Sequence, residues 1–383
     1  MRILILSNVQ WPRFGIFAGG TAHALEVAKI LALTHSVRVM IPSYIAGDAR
    51  RNYPELDFLE TPVPKILARS TVATQLLSML NWAVFRREIA EADAIVAGSH
   101  FLGDVLPLFV SRRPAEVVIV HHVVEPPWRR SGNFVTNTLH FFGERAGLVA
   151  TGSRADAVIT DSQIVAAQLR DAGIRQRLFL TVNAPPGPVP AGSPHERKKN
   201  ALFLGRLSPT KGVEPLLQAW KIVSQTVPDA LLFVAGGGDP KYVRMLTETA
   251  HRLGIERSVR FLGRVDEETK WRLLGEASVF AFPSVEEGFG IAVAEALLAG
   301  LPCVTYDLPI FDELFPAGRL TAKRDDVAAL ARSIVALLDD RVLRDELGEA
   351  GRSYCARYSW ESAARLDLDA VEFALNKRRK DER

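Results

Sequence analysis

Val279-Phe-Ala-Phe-Pro-Ser-Val-Glu-Glu287-Gly288-Phe289-Gly290-Ile291-Ala-Val-Ala-Glu295 decides the fold. Val279–Phe282 is a short apolar run closed by Pro283, which predicts a buried strand and its end. Gly288 and Gly290 permit close backbone approach and unusual dihedral angles, and an apolar helix starts near Ile291. A strand, a glycine loop and a helix make up part of a βαβ unit, and such units build parallel sheets. Glu287 falls in the loop and Glu295 about one turn into the helix. The two carboxylates share no helical face, so they point at different parts of a ligand lying across the helix start. Backbone amides after Gly288 are available to an anion there. For Glu295 the plainer reading is a buried acid satisfied by the protein. Among Ala294, Ala296 and Leu297 a carboxylate needs partners either way.

The alternation continues on both sides. Strand Ala201–Leu204, helix Val213–Thr226, strand Ala230–Ala235, helix Tyr242–Leu253, strand Val259–Leu262 and helix Glu267–Glu276 come before it. Helix Ile291–Ala299, strand Pro302–Tyr306 and helix Asp325–Leu338 come after. The first half reads likewise, with strands Ile3–Leu6, Val37–Ile41, Ala94–Ala97, Val117–Val120 and Ala157–Thr160. Helices are predicted over Thr21–Leu33, Val72–Glu91 and Ile164–Ala172. Between the halves, Ala184–Pro194 holds too many prolines for a helix or a central strand. The predicted fold is α/β: two Rossmann-like, doubly wound parallel-sheet domains facing a central cleft at the carboxyl ends of the strands. The predicted boundaries are a first domain at 1–186, a Pro-rich linker at 187–200 and a second domain at 201–356. A terminal segment at 357–383, with helix Trp360–Lys380, crosses back to the first domain.

Composition narrows the class. The chain has 383 residues, 48% hydrophobic and 24% charged, with a net charge of +3, which excludes disorder for most of its length. Cys303 and Cys355 are too few to staple such a chain; they suit a reducing cytoplasm and do not make the usual structural zinc site. The run Ile3–Leu6 is cut off by Ser7 and Asn8, so it reads as a strand and not as a signal peptide. No stretch approaches the roughly 18 apolar residues that span a bilayer. Residues 1–190 hold 19 Lys/Arg against 15 Asp/Glu, an excess too small to argue for nucleic acid.

Gly205-Arg206-x4-Lys211-Gly212 also follows a strand and opens a helix. Arg206 and Lys211 there suit a diphosphate, or else are two solvated cations. With this motif, three others fall in order: Ala235-Gly236-Gly237-Gly238, Phe261-Leu262-Gly263-Arg264-Val265 and Pro283-Ser284-x2-Glu287-x7-Glu295-Ala296-x3-Gly300-Leu-Pro302. Together they resemble the donor site of GT-B glycosyltransferases of family 4. Gly19-Gly20, His35-Ser-Val37, Val117–His121 and Ile159-Thr-Asp-Ser162 extend the resemblance through the first half.

The resemblance implies a retaining glycosyltransferase using a UDP- or GDP-sugar, with no obligatory metal. Arg206 and Lys211 then stabilise the leaving diphosphate, Glu295 holds the ribose and Glu287 the transferred sugar. Gly263, Arg264 and Val265 meet the base, and Gly237, Gly288, Phe289, Gly290 and Ile291 line the donor. Gly20 brings a backbone amide to the diphosphate from the other side. The family's histidine near the sugar falls on His121, or on His122 if the register shifts by one; a structural strand cap is the plainer reading of either. Fixed cations and helix-end amides suit the charge that builds as a diphosphate leaves.

Two features depart from the family: Asn183-Ala184 stands where Asn-Gly is usual, and the loop Asn8–Ala18 carries the bulky Trp11, Phe14 and Phe17. Both bear on the acceptor. A lipid-linked sugar or cell-surface glycan precursor is the acceptor this reading favours; a small soluble acceptor stays open. Trp128-Arg129-Arg130, Phe134, Phe141 and Phe142, with Arg69, Arg86 and Arg87, suit peripheral contact with the inner face of a membrane, or equally a core helix with solvated arginines. Lys377–Lys380 reads as a solvated helix end. Asp367-Leu-Asp369 has the form of a metal-binding Asp-x-Asp but lies inside a helix. The competing classes are a non-hydrolysing nucleotide-sugar epimerase of the same fold, an NAD-dependent oxidoreductase and a non-enzymatic sugar-binding protein. The oxidoreductase reading lacks the Gly-x-Gly-x-x-Gly spacing after the first strand.

Overall fold

The computed structural model describes residues 1–8, 19–63, 85–110, 114–121, 123, 134–185 and 199–381. Outside them fall His122, Trp11, Phe14, Phe17, Arg69, Trp128–Arg130, most of the predicted Val72–Glu91 helix and nearly all of the Pro-rich linker. The chain divides into two compact units, Met1–Pro186 with Tyr358–Arg383, and Gly187–Arg357.

The first unit holds seven strands: β1 Arg2–Leu6, β2 Ser36–Pro42, β3 Asp57–Thr61, β4 Ala94–Ala97, β5 Ala115–Ile119, β6 Ala157–Thr160 and β7 Arg177–Leu180. All pair in parallel, in the order β3-β2-β1-β4-β5-β6-β7. The predicted strands are the central ones. They read as mainly apolar runs, with Arg38 in β2 the charged exception, because helices cover both faces. β3 and β7 lie at the edges, where Asp57, Glu60 and Arg177 break that pattern.

The helix Trp360–Asp381 packs Ala363, Ala364, Ala370, Val371 and Ala374 into this unit's core. Its basic end is not simply solvated, which corrects the expectation for Lys377–Lys380. Arg378 Nε donates to Asp156 Oδ2 at 2.7 Å, and its guanidinium reaches Glu116 at 3.4 Å; Lys377 lies 3.3 Å from Asp156. Glu116, inside β5, also pairs with Arg154. Burial nonetheless pushes the Glu116 carboxyl up to about 7, against the pull of the two arginines. These acids lie more than two hundred residues from the helix end, beyond the reach of a local charge pattern.

The second unit holds β8 Asn200–Leu204, β9 Leu231–Ala235, β10 Val259–Gly263, β11 Val279–Phe282, β12 Cys303–Tyr306 and β13 Arg319–Ala322. They form a parallel sheet in the order β10-β9-β8-β11-β12-β13. The order reverses between β8 and β11. A reversal leaves a crevice where the following loops diverge, and these two loops carry Arg206, Lys211 and Glu287.

Candidate active site

The loops after β8 and β11 are tied together. Val285 N donates to Thr210 O at 2.9 Å, and Ser284 Oγ lies 3.0 Å from the same carbonyl. Gly212 makes this approach possible: at φ 70° it starts the helix Val213–Thr226, and a Cβ there would sit 1.9 Å from Pro283 O. The clamp brings Lys211 Nζ within 2.5 Å of Glu287 Oε1, with both side chains largely buried. Lys211 also lies 5.7 Å from the Phe282 ring centre. A cation and a carboxylate so paired can separate to serve a phosphate oxygen and a hydroxyl, respectively.

Beside the pair, Gly290 at φ 97° caps the helix Ile291–Leu298, whose first turn carries no acidic residue to offset its positive end. The Phe289 ring turns inward onto Phe315, leaving the backbone of Gly288–Ile291 as this segment's contribution. The loops after β9 and β10 complete the floor. Gly236 N donates to Gly263 O at 2.7 Å and Leu207 N to Gly237 O at 2.8 Å. The exposed Arg264 lies over Gly237, where a Cβ would come 2.7 Å from its Nε. Arg206 is exposed on the β8 loop and Val265 is part-buried.

Glu295 is 4% exposed, and its partner went unrecognised in the sequence. Lys270, itself 7% exposed, donates from Nζ to Glu295 Oε1 at 2.6 Å and also meets Glu267 at 2.6 Å. Burial raises the Glu295 carboxyl above its usual range, although Lys270 pulls it down. Burial pulls the Lys270 ammonium down, and the two carboxylates more than offset it. One signal was legible: Lys270 shares a helix face with the buried Leu273 and Leu274, and a cation there needs a carboxylate.

In the first unit, His121 follows β5 and meets Gly20 at the start of the helix Gly19–Leu31. A Cβ on Gly20 would lie 3.1 Å from His121 Cδ2. His121 Nδ1 is 3.1 Å from Asp161 Oδ2, while its Nε2 is buried without a hydrogen-bond partner among the described residues. Asp161, Asn183, His23 and Asp367 continue from there as one buried chain of hydrogen bonds. Asp367 is therefore committed to His23 at 2.8 Å. Among the described residues, no group of three or more His, Cys, Asp or Glu side chains is arranged to hold a metal ion.

Residues 190–354 match the family model described as glycosyl transferases group 1. That segment is a group 1 glycosyltransferase domain. Among curated proteins, a phosphatidyl-myo-inositol mannosyltransferase of Mycobacterium leprae is 36% identical over 170 residues, 43% of this chain and 44% of that protein. The O-antigen chain mannosyltransferase B of Escherichia coli is 30% identical over 175 residues, 45% of each chain. The match thus spans under half the length of these relatives. Solved structures match throughout: Anabaena HepE in complex with UDP and glucose has TM-score 0.75 at 19% identity, covering 97% of this chain and 99% of that one. WaaG, a glycosyltransferase of lipopolysaccharide biosynthesis, has TM-score 0.70 at 17% identity, covering 96% and 99%. The fold is GT-B.

Proposed function

We propose that the protein is a retaining glycosyltransferase of family 4, moving a sugar from a nucleoside-diphosphate sugar to a hydroxyl acceptor without an obligatory metal. The observation that carries this reading is the Lys211–Glu287 pair, clamped between the β8 and β11 loops beside the N-terminal end of the helix Ile291–Leu298, whose first turn carries no acidic residue. Lys211, Arg206 and the Gly288–Ile291 amides receive the diphosphate as its charge builds. Glu287 holds hydroxyls of the transferred sugar, Glu295 those of the ribose, and the Gly263–Val265 loop meets the base. Gly237 lets that loop approach closely. His121, the histidine beside Gly20, accepts a hydroxyl of the sugar, and a backbone amide of Gly20 reaches the diphosphate. The solved neighbours with bound UDP support a nucleotide-sugar donor, and a relative named as a GDP-mannose-dependent mannosyltransferase supports GDP beside UDP.

In this proposal the first unit, with its terminal helix, handles the acceptor, and the second the donor. The acceptor is a lipid-linked glycan precursor, as the names of the mannosyltransferase relatives suggest. The helix Phe134–Arg154 exposes Leu139, Phe142 and Val149 along one side, with Arg145 over Phe141, which suits peripheral contact with an anionic cytoplasmic membrane surface. No described helix is long and apolar enough to cross one. Screening nucleotide sugars by thermal shift and then by hydrolysis tests the reading. The expected result is stabilisation and slow release of sugar with one donor. An epimer formed from a UDP-sugar alone, with no transfer, would replace it with the epimerase.

A further inference from the structure

His121 ends a buried polar chain whose proton positions can be deduced from its geometry. Asp161 Oδ2 has two neighbours, Asn183 Nδ2 at 2.8 Å and His121 Nδ1 at 3.1 Å. The Asn183 Nδ2 can only donate, so Oδ2 accepts from it, and with no proton on Oδ2 the His121 Nδ1 donates to it as well. That choice orients the Asn183 amide, leaving its Oδ1 to accept from His23 Nδ1 at 2.9 Å. His23 Nε2, 2.8 Å away from Asp367 Oδ2, faces a second acceptor. His23 therefore donates from both nitrogens and is a buried imidazolium between the Asn183 amide oxygen and the Asp367 carboxylate. At the other end, the His121 proton sits on Nδ1. Its Nε2, buried and without a partner among the described residues, is left as a bare acceptor against Gly20.

We propose that Asp161 and Asn183, oriented by His23 and by Asp367 of the terminal helix, are positioning residues that hold His121 in its Nδ1–H tautomer. Nε2 is thereby an obligate acceptor for a ligand hydroxyl. The proposal rests on the reading above for the identity of that hydroxyl, a sugar's, but not for the tautomer. Histidine free in water favours the proton on Nε2, which would offer a sugar hydroxyl a donor where this site supplies an acceptor. The order of the chain explains why a buried aspartate belongs on the last helix: without Asp367, His23 has no acceptor for its second proton. It also accounts for Asp367-Leu-Asp369 without a metal.

Ring-nitrogen NMR of the full-length chain labelled with 15N-histidine reads the prediction directly, with His121→Gln and His23→Gln assigning the two signals. His121 is expected to show a protonated Nδ1 and a bare Nε2, and His23 two protonated nitrogens. Asp161→Ala should move the His121 proton toward Nε2 and lower kcat by about tenfold or more, with KM for the donor changed by no more than about twofold. Asp161→Asn, which keeps one acceptor oxygen, should recover part of that loss. A His121 signal with its proton on Nε2 in the unaltered protein overturns the proposal whatever the variants do. So does an Asp161→Ala variant that is folded, turns over normally and leaves the His121 signal in place. Normal turnover by His121→Gln would instead remove His121 from the sugar site, a failure of the functional reading that leaves the tautomer result standing.

Discussion

Replacing Lys270 by Met removes the buried cation that faces Glu295. The two groups are 2.6 Å apart, and both are nearly inaccessible to water. Breaking a buried pair by removing one partner costs about 3–5 kcal/mol, since the remaining charge keeps its desolvation penalty. Glu295 can relieve part of that by taking up a proton, because burial already raises its carboxyl. A loss of about 3 kcal/mol is therefore expected, and for a unit of this size it lowers the melting temperature by roughly 6–12 °C. Removing both charges, as in Lys270→Met with Glu295→Gln, should return most of the stability, because no ion then stays buried. Calorimetric melting of the wild type, both single variants and the double variant closes the cycle. Melting of Lys270→Met within about 1 °C of wild type, or a double variant as unstable as the sum of the singles, would show that no buried pair is broken.

Other outcomes follow from the same geometry. Gly212→Ala places a Cβ 1.9 Å from Pro283 O at a left-handed φ, so the two donor loops must part; denaturant unfolding should show a loss of about 3 kcal/mol or more. Burial tends to lower His23, but Asp367 and its hydrogen bonds outweigh this and hold the imidazolium above its usual range. Its stabilisation is thus complete below about pH 6.5, the unfolded value, and is lost as pH rises through the higher folded value. Melting followed from about pH 6 to about pH 9 should show this decline, and Asp367→Asn should flatten it. Arg378→Ala strips Glu116 and Asp156 of a shared cation, and should cost about 2–3 kcal/mol in chemical unfolding while exposing the terminal helix to proteolysis.

The central strands and the loops after them were legible because a strand buried on both faces needs an unbroken apolar run, and a close turn after it needs glycine. β11, the helices Val213–Thr226 and Glu267–Glu276, and the placement of Lys211 and Glu287 in facing loops can all be read that way. Edge strands β3, β7 and β13 cannot, since an edge admits charged and polar residues, whereas the edge strand β10 keeps enough apolar residues around Arg260 to be read. Partners distant in the chain were also hidden. Lys270 finds Glu295 across 25 residues, and His23 finds Asp367 across 344. No spacing rule reaches so far, so the second carboxylate motif looked complete without its lysine, and Asp367 looked like part of an idle metal signature. Lys377–Lys380 misled for the opposite reason: a basic helix end is explained by the helix dipole before any acid is known to dock on it.

The most direct test of the donor site is a calorimetric titration of UDP and of GDP into the full-length chain and into Lys211→Ala. The account predicts that at least one of the two binds, at one site per chain, and that Lys211→Ala weakens it by about tenfold or more, the value of one charge-assisted contact to phosphate. Binding of neither nucleotide, or binding that Lys211→Ala leaves unchanged, would contradict it.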